Sequence, residues 1–273
     1  MQKKQKKKVI NNNPIGIFDS GFGGLTVMSA IHKGLPCENL IYFGDTAHIP
    51  YGAKSQNIVI KFSTEIASFL VKQQVKLIVI ACNTATAFAL PFLQKKFNVP
   101  IIGVIKPGAK AAVFASKNKK IGVIGTEGTI NSKSYTKEIN KFAKIKLHQQ
   151  ACPLFVPIVE EGLINSNFTN EIVQKYIQPL LNKKIDTLVL GCTHYTLLKE
   201  VIKKNIKEGI TLIDSTQIIS QEVKNILEEK KLLASKSKPN LKFYVSDNPL
   251  KFKKIGSRFF GKKITNIKKI ELR

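Results

Sequence analysis

The sequence predicts an α/β protein made of two pseudo-symmetric α/β domains with mainly parallel sheets and a candidate active site in the cleft between them. Three observations lead to this fold class. Short β-branched runs alternate with helical segments, the same plan restarts near the middle of the chain, and polar side chains follow several predicted strands.

The first half follows the strand–turn–helix plan twice before it reaches Cys82. In order, the pattern predicts a strand "IGIF" (15–18), a helix "LTVMSAIHKG" ending at Gly34, a strand "LIYFG" (40–44), a helix over about 56–74, a strand "KLIVIA" (76–81), a helix from Cys82 onward, and a strand "PIIGVI" (100–105). Runs of four to six apolar residues suit strands that are covered on both faces by helices.

The second half repeats this order. "KKIGVIGTEGTI" (119–130) resembles "NPIGIFDSGFGGL" (13–25), and 67 residues separate Ile15 from Cys82 where 71 separate Ile121 from Cys192. We therefore predict a first domain over 14–106 plus 217–273 and a second over 107–216. The final stretch, with the strand-like "LKFYV", is expected to pack back on the first domain.

Composition favours a folded protein of the cytoplasm. Hydrophobic residues make up 43% of the 273, no apolar run reaches the length of a membrane span, and "NNNP" interrupts the basic start before any signal-peptide core. Four cysteines without a CxxC pair fit a reducing compartment. Residues 1–13 are expected to form a basic, disordered tail.

The net charge of +26 raises nucleic-acid binding as a second hypothesis. Arginine, the residue best suited to bidentate phosphate contacts, occurs only at Arg258 and Arg273. The excess of lysine is therefore interpreted as a general surface bias, and nucleic acid is not an expected partner.

Polar and reactive residues follow the predicted strands, where open parallel sheets bind their ligands. They are Asp19, Ser20, Asp45, Tyr51, Gly52, Cys82, Asn83, Thr84, Thr126, Cys192, Thr193 and His194. The glycine turn "DSGFGG" (19–24) matches neither GxGxxG nor the Walker pattern, so no nucleotide is expected. Its free N–H groups could instead hold a substrate carboxylate, while Asp19 has the plainer interpretation of a turn or capping residue.

Cys82 and Cys192 hold matching positions, each directly after a strand. Either could be a small buried apolar residue, a zinc ligand, or the nucleophile of a cysteine hydrolase. A helix N-terminus would lower the pKa of the Cys82 thiol, and His194 could serve Cys192 as an assisting base. Zinc lacks a recognisable ligand spacing, and a hydrolase would leave one cysteine without a role.

Two thiols on opposite sides of a cleft suit inversion at a carbon that bears an acidic proton. One thiolate removes the proton from one face, and the other thiol delivers a proton to the opposite face. Asp19 is the candidate helper of Cys82, and His194 is the candidate helper of Cys192.

Five blocks of the sequence resemble the glutamate racemase family over about residues 14–217. They are "GIFDSGFGGL", "YFGDTAHIPYG", "IACNTATA", "CPLFVPIVEEG" and "LVLGCTHY". The resemblance implies a cofactor-independent, metal-free isomerase that makes D-glutamate for peptidoglycan. Aspartate and hydantoin racemases share the two-cysteine logic, so another amino acid remains an alternative substrate.

The resemblance also implies roles for individual residues. Cys82 and Cys192 match the two catalytic bases, and Asp45 and Glu160 match acidic positions with supporting roles, Glu160 being preferred over Glu161. The substrate contacts implied are Asp19, Ser20, Tyr51, Gly52, Asn83, Thr84, Thr193 and His194. The only partner implied is the small-molecule substrate glutamate, and the sequence leaves a homodimer open.

Overall fold

The structure is a computed structural model that describes residues 11–235 and 238–272. Residues 1–10 of the expected tail lie outside the described residues. Two parallel sheets, of six and four strands, form the centres of the molecule, and helices cover their faces. The predicted fold class is confirmed.

The first sheet has the strand order β10-β9-β2-β1-β3-β4. Its strands are β1 (Ile15–Asp19), β2 (Leu40–Gly44), β3 (Leu77–Ile80), β4 (Ile101–Gly103), β9 (Leu241–Val245) and β10 (Ile267–Lys269). Every residue of β1, β2 and β3 is buried, as expected for strands with helices on both faces. Its helices are α1 (Leu25–Gly34), α2 (Gln56–Lys72), α3 (Asn83–Lys96) and, late in the chain, α11 (Pro249–Phe260).

The second sheet has the order β6-β5-β7-β8, which repeats the β2-β1-β3-β4 core of the first. Its strands are β5 (Lys120–Gly125), β6 (Lys146–Ala151), β7 (Thr187–Gly191) and β8 (Thr211–Asp214). The remaining helices are α4 (Ile105–Ala115), α5 (Glu127–Asn131), α6 (Ser134–Asn140), α7 (Phe155–Glu161), α8 (Asn167–Leu181), α9 (Lys199–Asn205) and α10 (Ser215–Glu229). Strands β3 and β7, which precede the two cysteines, therefore hold equivalent places.

One predicted strand is shorter than its apolar run. The run 100–105 yields only β4, because the chain turns into α4 at Ile105. Pro107 lies in the first turn of α4, where a helix needs no N–H donor, so this proline is compatible with an early helix start.

The C-terminal stretch returns to the first sheet, where β9 pairs in parallel with β2 and β10 pairs with β9. Helix α10 contacts both α1 and α4, and so touches helices associated with each sheet. The exact domain limits stay a prediction. Within the described residues, no helix is both long enough and apolar enough to cross a membrane.

A buried ion pair fastens the first described residues to the core. Lys76 Nζ lies 2.6 Å from Glu38 Oε2, and both side chains are at most 2% exposed. The same ammonium donates to the carbonyl oxygens of Asn11 and Leu232, each at 2.7 Å. We call this group, Lys76 with Glu38, Asn11 and Leu232, the lysine clasp.

Candidate active site

The two cysteines lie at the carboxyl ends of equivalent strands. Cys82 follows β3 and caps helix α3, with the Ala85 N–H 3.4 Å from its Sγ. Cys192 follows β7 in an extended conformation, and a short 3-10 turn, Thr193–Leu198, comes next. Cys192 makes no capping bond, so the two positions match in topology and differ in local geometry.

Both cysteines line a single narrow cavity between the two sheets. The expected site residues that line it are Ser20, Tyr51, Gly52, Cys82, Asn83, Thr84, Thr126, Glu160, Cys192, Thr193 and His194. Ile49, Pro50, Val156 and Gly191 complete the lining. Asp19 and Asp45, which were expected to act in the site, are fully buried and are not among the lining residues.

The cavity is almost closed. Its volume is about 20 Å³, which is room for roughly one water molecule. A wider cavity of about 230 Å³ adjoins it. Pro50, Gly52, Thr126 and Glu160 are among the residues that line both cavities. Glu161 lines only the wider cavity.

On the Cys192 side, His194 connects the thiol to a carboxylate. His194 Nδ1 lies 3.8 Å from Cys192 Sγ, and His194 Nε2 lies 3.1 Å from Glu160 Oε1. Burial alone would lower the pKa of His194, but its hydrogen bonds to Cys192 and Glu160, together with the charges of Cys192 and Asp19, raise that pKa to about 10. The raised pKa favours the protonated imidazole, and the role of His194 as the helper of Cys192 stays a prediction.

On the Cys82 side, the surroundings favour the protonated thiol. Burial and the nearby charge of Asp19 raise the pKa of Cys82 to about 12, although the Ala85 N–H acts in the opposite direction. The expected net lowering of this pKa is wrong, because the one backbone N–H at the start of α3, at 3.4 Å, lowers the pKa less than full burial raises it.

One N–H group of the glycine turn bonds the side chain of Asp19. The Gly21 N–H donates to Asp19 Oδ1 at 2.9 Å, and Thr193 Oγ1 donates to Asp19 Oδ2 at 3.3 Å. Asp19 thus bonds both its own turn and the residue after Cys192. Burial nevertheless raises the pKa of this carboxyl above its usual value. The expected carboxylate-binding role of the turn is not supported at Gly21, whose N–H is already engaged.

Asp45 acts at one remove from the cavity. Its carboxylate accepts a 2.6 Å hydrogen bond from the hydroxyl of Tyr51 and a 2.7 Å bond from Ser246 Oγ. His48 Nδ1 lies 2.8 Å from the same carboxylate. Because Tyr51 lines the cavity, Asp45 supports the site by holding this ring. Ser246, on the chain just after β9, carried no signal in the sequence.

Hydroxyl groups join the two sheets beside Cys82. Thr84 Oγ1 lies 2.9 Å from Thr126 Oγ1 and 3.1 Å from Thr129 Oγ1. Thr126 also caps α5 by accepting from the Thr129 N–H. Thr129 was not predicted, and neither was Tyr135, whose hydroxyl reaches Asn83 Oδ1 at 2.9 Å. Both sit on helices, where sequence patterns report burial and not contact across a cleft.

The other two cysteines, Cys37 and Cys152, do not line this cavity. Cys152 is fully buried, and burial raises the pKa of its thiol, while Cys37 is partly exposed. Over residues 11–235 and 238–272, no group of three or more His, Cys, Asp or Glu side chains could hold a metal ion.

Comparison with known proteins identifies the family. The model of the Asp/Glu/Hydantoin racemase family matches residues 15–223, which include both cysteines. The chain belongs to this family. The racemase is 47% identical to the glutamate racemase of Geobacter metallireducens over 94% of its own length and 96% of the relative's.

Solved structures agree with the sequence relatives. The racemase superposes on glutamate racemase isoform RacE1 of Bacillus anthracis with a TM-score of 0.93 at 40% identity, covering 96% of this chain and 98% of the other. It matches the Francisella tularensis glutamate racemase, solved in complex with D-glutamate, with a TM-score of 0.90 at 39% identity, covering 95% and 98%. It is an amino-acid racemase, and therefore an isomerase, of the glutamate racemase type.

Proposed function

We propose that this racemase interconverts L- and D-glutamate by a two-base mechanism in which Cys82 and Cys192 act on opposite faces of the α-carbon. The observation that carries this proposal is that both cysteines, from equivalent ends of β3 and β7, line one cavity. Glutamate as the substrate is supported by relatives named glutamate racemase and by the D-glutamate bound to the Francisella enzyme.

The reaction balances without a cofactor. One cysteine, as the thiolate, takes the α-proton, and the electron pair of the broken C–H bond stays on the α-carbon next to the carboxylate. The other cysteine, as the thiol, then delivers its proton to the opposite face. The enantiomer leaves with the protonation states of the two cysteines exchanged, so the same site runs the reverse reaction from its other state.

The surroundings of the two cysteines favour one starting state. His194 Nδ1, 3.8 Å from Cys192 Sγ, is close enough to exchange a proton with that sulfur. Cys82, whose pKa is raised to about 12 by burial and Asp19, keeps its proton. The opposite state is generated by turnover, which leaves the proton of the substrate on the other cysteine.

The cavity provides hydrogen-bond donors that suit a substrate with two carboxylates. Hydroxyl groups come from Ser20, Thr84, Thr126 and Thr193, and an amide comes from Asn83. Neutral donors of this kind bind carboxylates without fixing them as tightly as an arginine would. We include these residues, with Tyr51 and Gly52, in the proposed substrate site.

A chiral assay tests the reaction and its substrate together. Purified protein should convert L-glutamate to D-glutamate without added cofactor, far faster than L-aspartate to D-aspartate, and in D₂O the product should carry deuterium at the α-carbon. Efficient formation of D-aspartate in preference to D-glutamate would contradict the substrate, and deuterium-free product would contradict the mechanism.

Cysteine variants test the two bases separately. Cys82→Ser and Cys192→Ser should each lower racemisation at least a thousandfold, while Cys37→Ser, outside the cavity, should retain it. Each active-site variant keeps one thiol and should exchange the α-proton of one enantiomer only, the two variants acting on opposite enantiomers. Exchange of the same enantiomer by both variants would rule out bases on opposite faces.

We further propose that the enzyme works in the cytoplasm and supplies D-glutamate for peptidoglycan. Four free cysteines suit a reducing compartment. Expression of the chain should restore growth of a bacterium that requires external D-glutamate, and the Cys82→Ser variant should not. Growth restored equally by both would show that racemisation is not the basis of rescue.

A further inference from the structure

Tyr135 contacts both halves of the candidate site from a position with no assigned role. It lies on α6, beside the second sheet, and its side chain is fully buried. Its hydroxyl donates to Asn83 Oδ1, at the start of α3, over 2.9 Å. Its ring packs against the strand end before Cys192, since a Cβ added to Gly191 would lie 3.2 Å from Tyr135 Cε2.

Asn83 is left with an amide donor that the protein does not use. The residue is 3% exposed and lines the catalytic cavity directly after Cys82. Its Oδ1 is engaged by Tyr135, whereas its Nδ2 is buried and has no hydrogen-bond partner among the described residues. A buried donor without a partner is unfavourable, so it is best explained by a ligand acceptor that completes it.

The tyrosine hydroxyl decides which end of the amide is available. Burial raises the pKa of Tyr135, so the phenol keeps its proton at neutral pH and can donate it. When Asn83 Oδ1 faces Tyr135, it accepts the phenol proton, and the Nδ2 group is left free to donate to a ligand. With the amide reversed, Nδ2 would donate to the phenol oxygen, and the available Oδ1 would repel a carboxylate.

We propose that Tyr135 is a positioning residue for substrate binding, whose hydroxyl holds the Asn83 amide so that its N–H₂ group meets a carboxylate oxygen of the amino acid. The assignment rests on the proposed racemisation of an amino acid in this cavity. It adds a residue from the second half of the chain to the carboxylate-binding group beside Cys82.

The test combines Tyr135→Phe with Asn83→Ala. Loss of one neutral hydrogen bond should raise KM for glutamate roughly threefold to tenfold in Tyr135→Phe, with kcat changed by less than about twofold. In the Asn83→Ala background, Tyr135→Phe should have no further effect on KM, because the group it orients is absent. Tyr244→Phe, on β9 and outside the cavity lining, is the matched control and should leave KM unchanged.

Binding measurements separate this proposal from the proposed function. Calorimetric titration of D-glutamate into the same four variants should reproduce the KM pattern. A wild-type protein that binds glutamate but does not racemise it would overturn the proposed function, while the binding pattern would still decide the role of Tyr135. The positioning role would be overturned if the KM increases of Tyr135→Phe and Asn83→Ala multiplied in the double variant. It would also be overturned if Tyr135→Phe lowered Tm and left KM unchanged.

Discussion

His194 and Asp19 give the two cysteines different electrostatic surroundings. His194 brings a positive charge to Cys192 and is itself held by Glu160 at 3.1 Å. Asp19 brings a carboxyl group to Cys82 and raises the pKa of that thiol. Since the equilibrium constant of a racemisation is one, kcat/KM must stay equal in the two directions for any variant. The asymmetry can therefore make kcat and KM differ between the two directions only by the same factor, while a variant changes kcat/KM equally in both.

The raised pKa of His194 should make part of the folding stability depend on pH. Between the ordinary value of 6.5 and the folded value of about 10, the folded protein binds a proton at His194 that the unfolded chain lacks. The contribution of His194 to the free energy of unfolding should therefore be fully present below pH 6.5. It should be lost as the pH rises from 6.5 to about 10.

Urea unfolding of wild type and His194→Asn at pH 6, 7 and 8.5 measures this contribution. The wild type should lose stability relative to the variant as pH rises, whereas a constant difference would contradict the raised pKa. Measurements stay below pH 9 because Cys82, with its pKa raised to about 12, adds a loss of the same sign above its ordinary value of 9.

Removing the charge of Asp19 should make Cys82 more acidic. Asp19→Asn keeps an oxygen for the Gly21 N–H but takes away the negative charge near the thiol. The pH midpoint for alkylation of Cys82, followed by mass spectrometry of its peptide, should shift downward. Cys152 serves as the internal reference, because burial and the charge of Cys192, not Asp19, raise its pKa.

At the scale of elements, the sequence was informative about strands and their ends and less so about contacts between distant segments. The apolar runs before Cys82 and Cys192 predicted β3 and β7, because a buried parallel strand needs a continuous apolar run. Glu160 was predicted from motif resemblance alone, whereas His194 was also predicted from its place two residues after Cys192. Their 3.1 Å contact depends on how α7 packs on the turn after β7, which no local pattern encodes.

Two expectations drawn from local sequence depend on parts of the fold that no local pattern shows. The sequence pattern suggested that the N–H groups of the glycine turn are free, but in the fold the Asp19 carboxylate lies 2.9 Å from Gly21 N. The pKa of Cys82 was judged from a helix start alone, whereas burial, which depends on the whole fold, dominates it. Tyr135 escaped notice because a tyrosine on an amphipathic helix is ordinarily a core residue.

The close approach of the glycine turn to the other half of the site should not tolerate a side chain. A Cβ at Gly23 would overlap Thr193 Oγ1 and lie 2.7 Å from His194 Nδ1. Gly23→Ala should displace both groups and reduce kcat/KM at least a hundredfold. Gly108→Ala, on α4, is the control, because its Cβ would find only ordinary contacts from 3.4 Å outward. That substitution should keep activity and add about 0.5–1 kcal/mol of stability. Near-normal kcat/KM in Gly23→Ala would contradict the tight contact.

At the scale of the whole molecule, two sheets of matching order bring equivalent strand ends toward one another. The β2-β1-β3-β4 core faces its counterpart β6-β5-β7-β8, and each contributes one cysteine after its third strand in sequence. Helix α11, which packs beside α1, also reaches the second half, where the ring of Phe259 meets His194 edge-on with centroids 5.2 Å apart. The catalytic cavity is thus enclosed by both halves and belongs to neither alone.

The lysine clasp should stabilise the molecule without taking part in catalysis. Lys76→Met would leave Glu38 buried without its partner and free the carbonyls of Asn11 and Leu232. The expected loss is about 3–5 kcal/mol of unfolding free energy, measured by urea denaturation. Glu38→Gln in the same chain should recover part of that loss, and kcat at low temperature should match wild type. A loss below about 1 kcal/mol would contradict a stabilising role of the lysine clasp.

The tightness of the catalytic cavity has a kinetic consequence. Space for about one water molecule between Cys82 and Cys192 cannot admit an amino acid with a second carboxylate unless the walls separate. We therefore expect each turnover to include an opening and a closing of the cavity walls, a motion that solvent viscosity slows while it leaves proton transfer between carbon and sulfur unchanged. Slower turnover in viscous sucrose solutions, together with a small deuterium isotope effect at the α-carbon, would indicate an enzyme limited by its own opening.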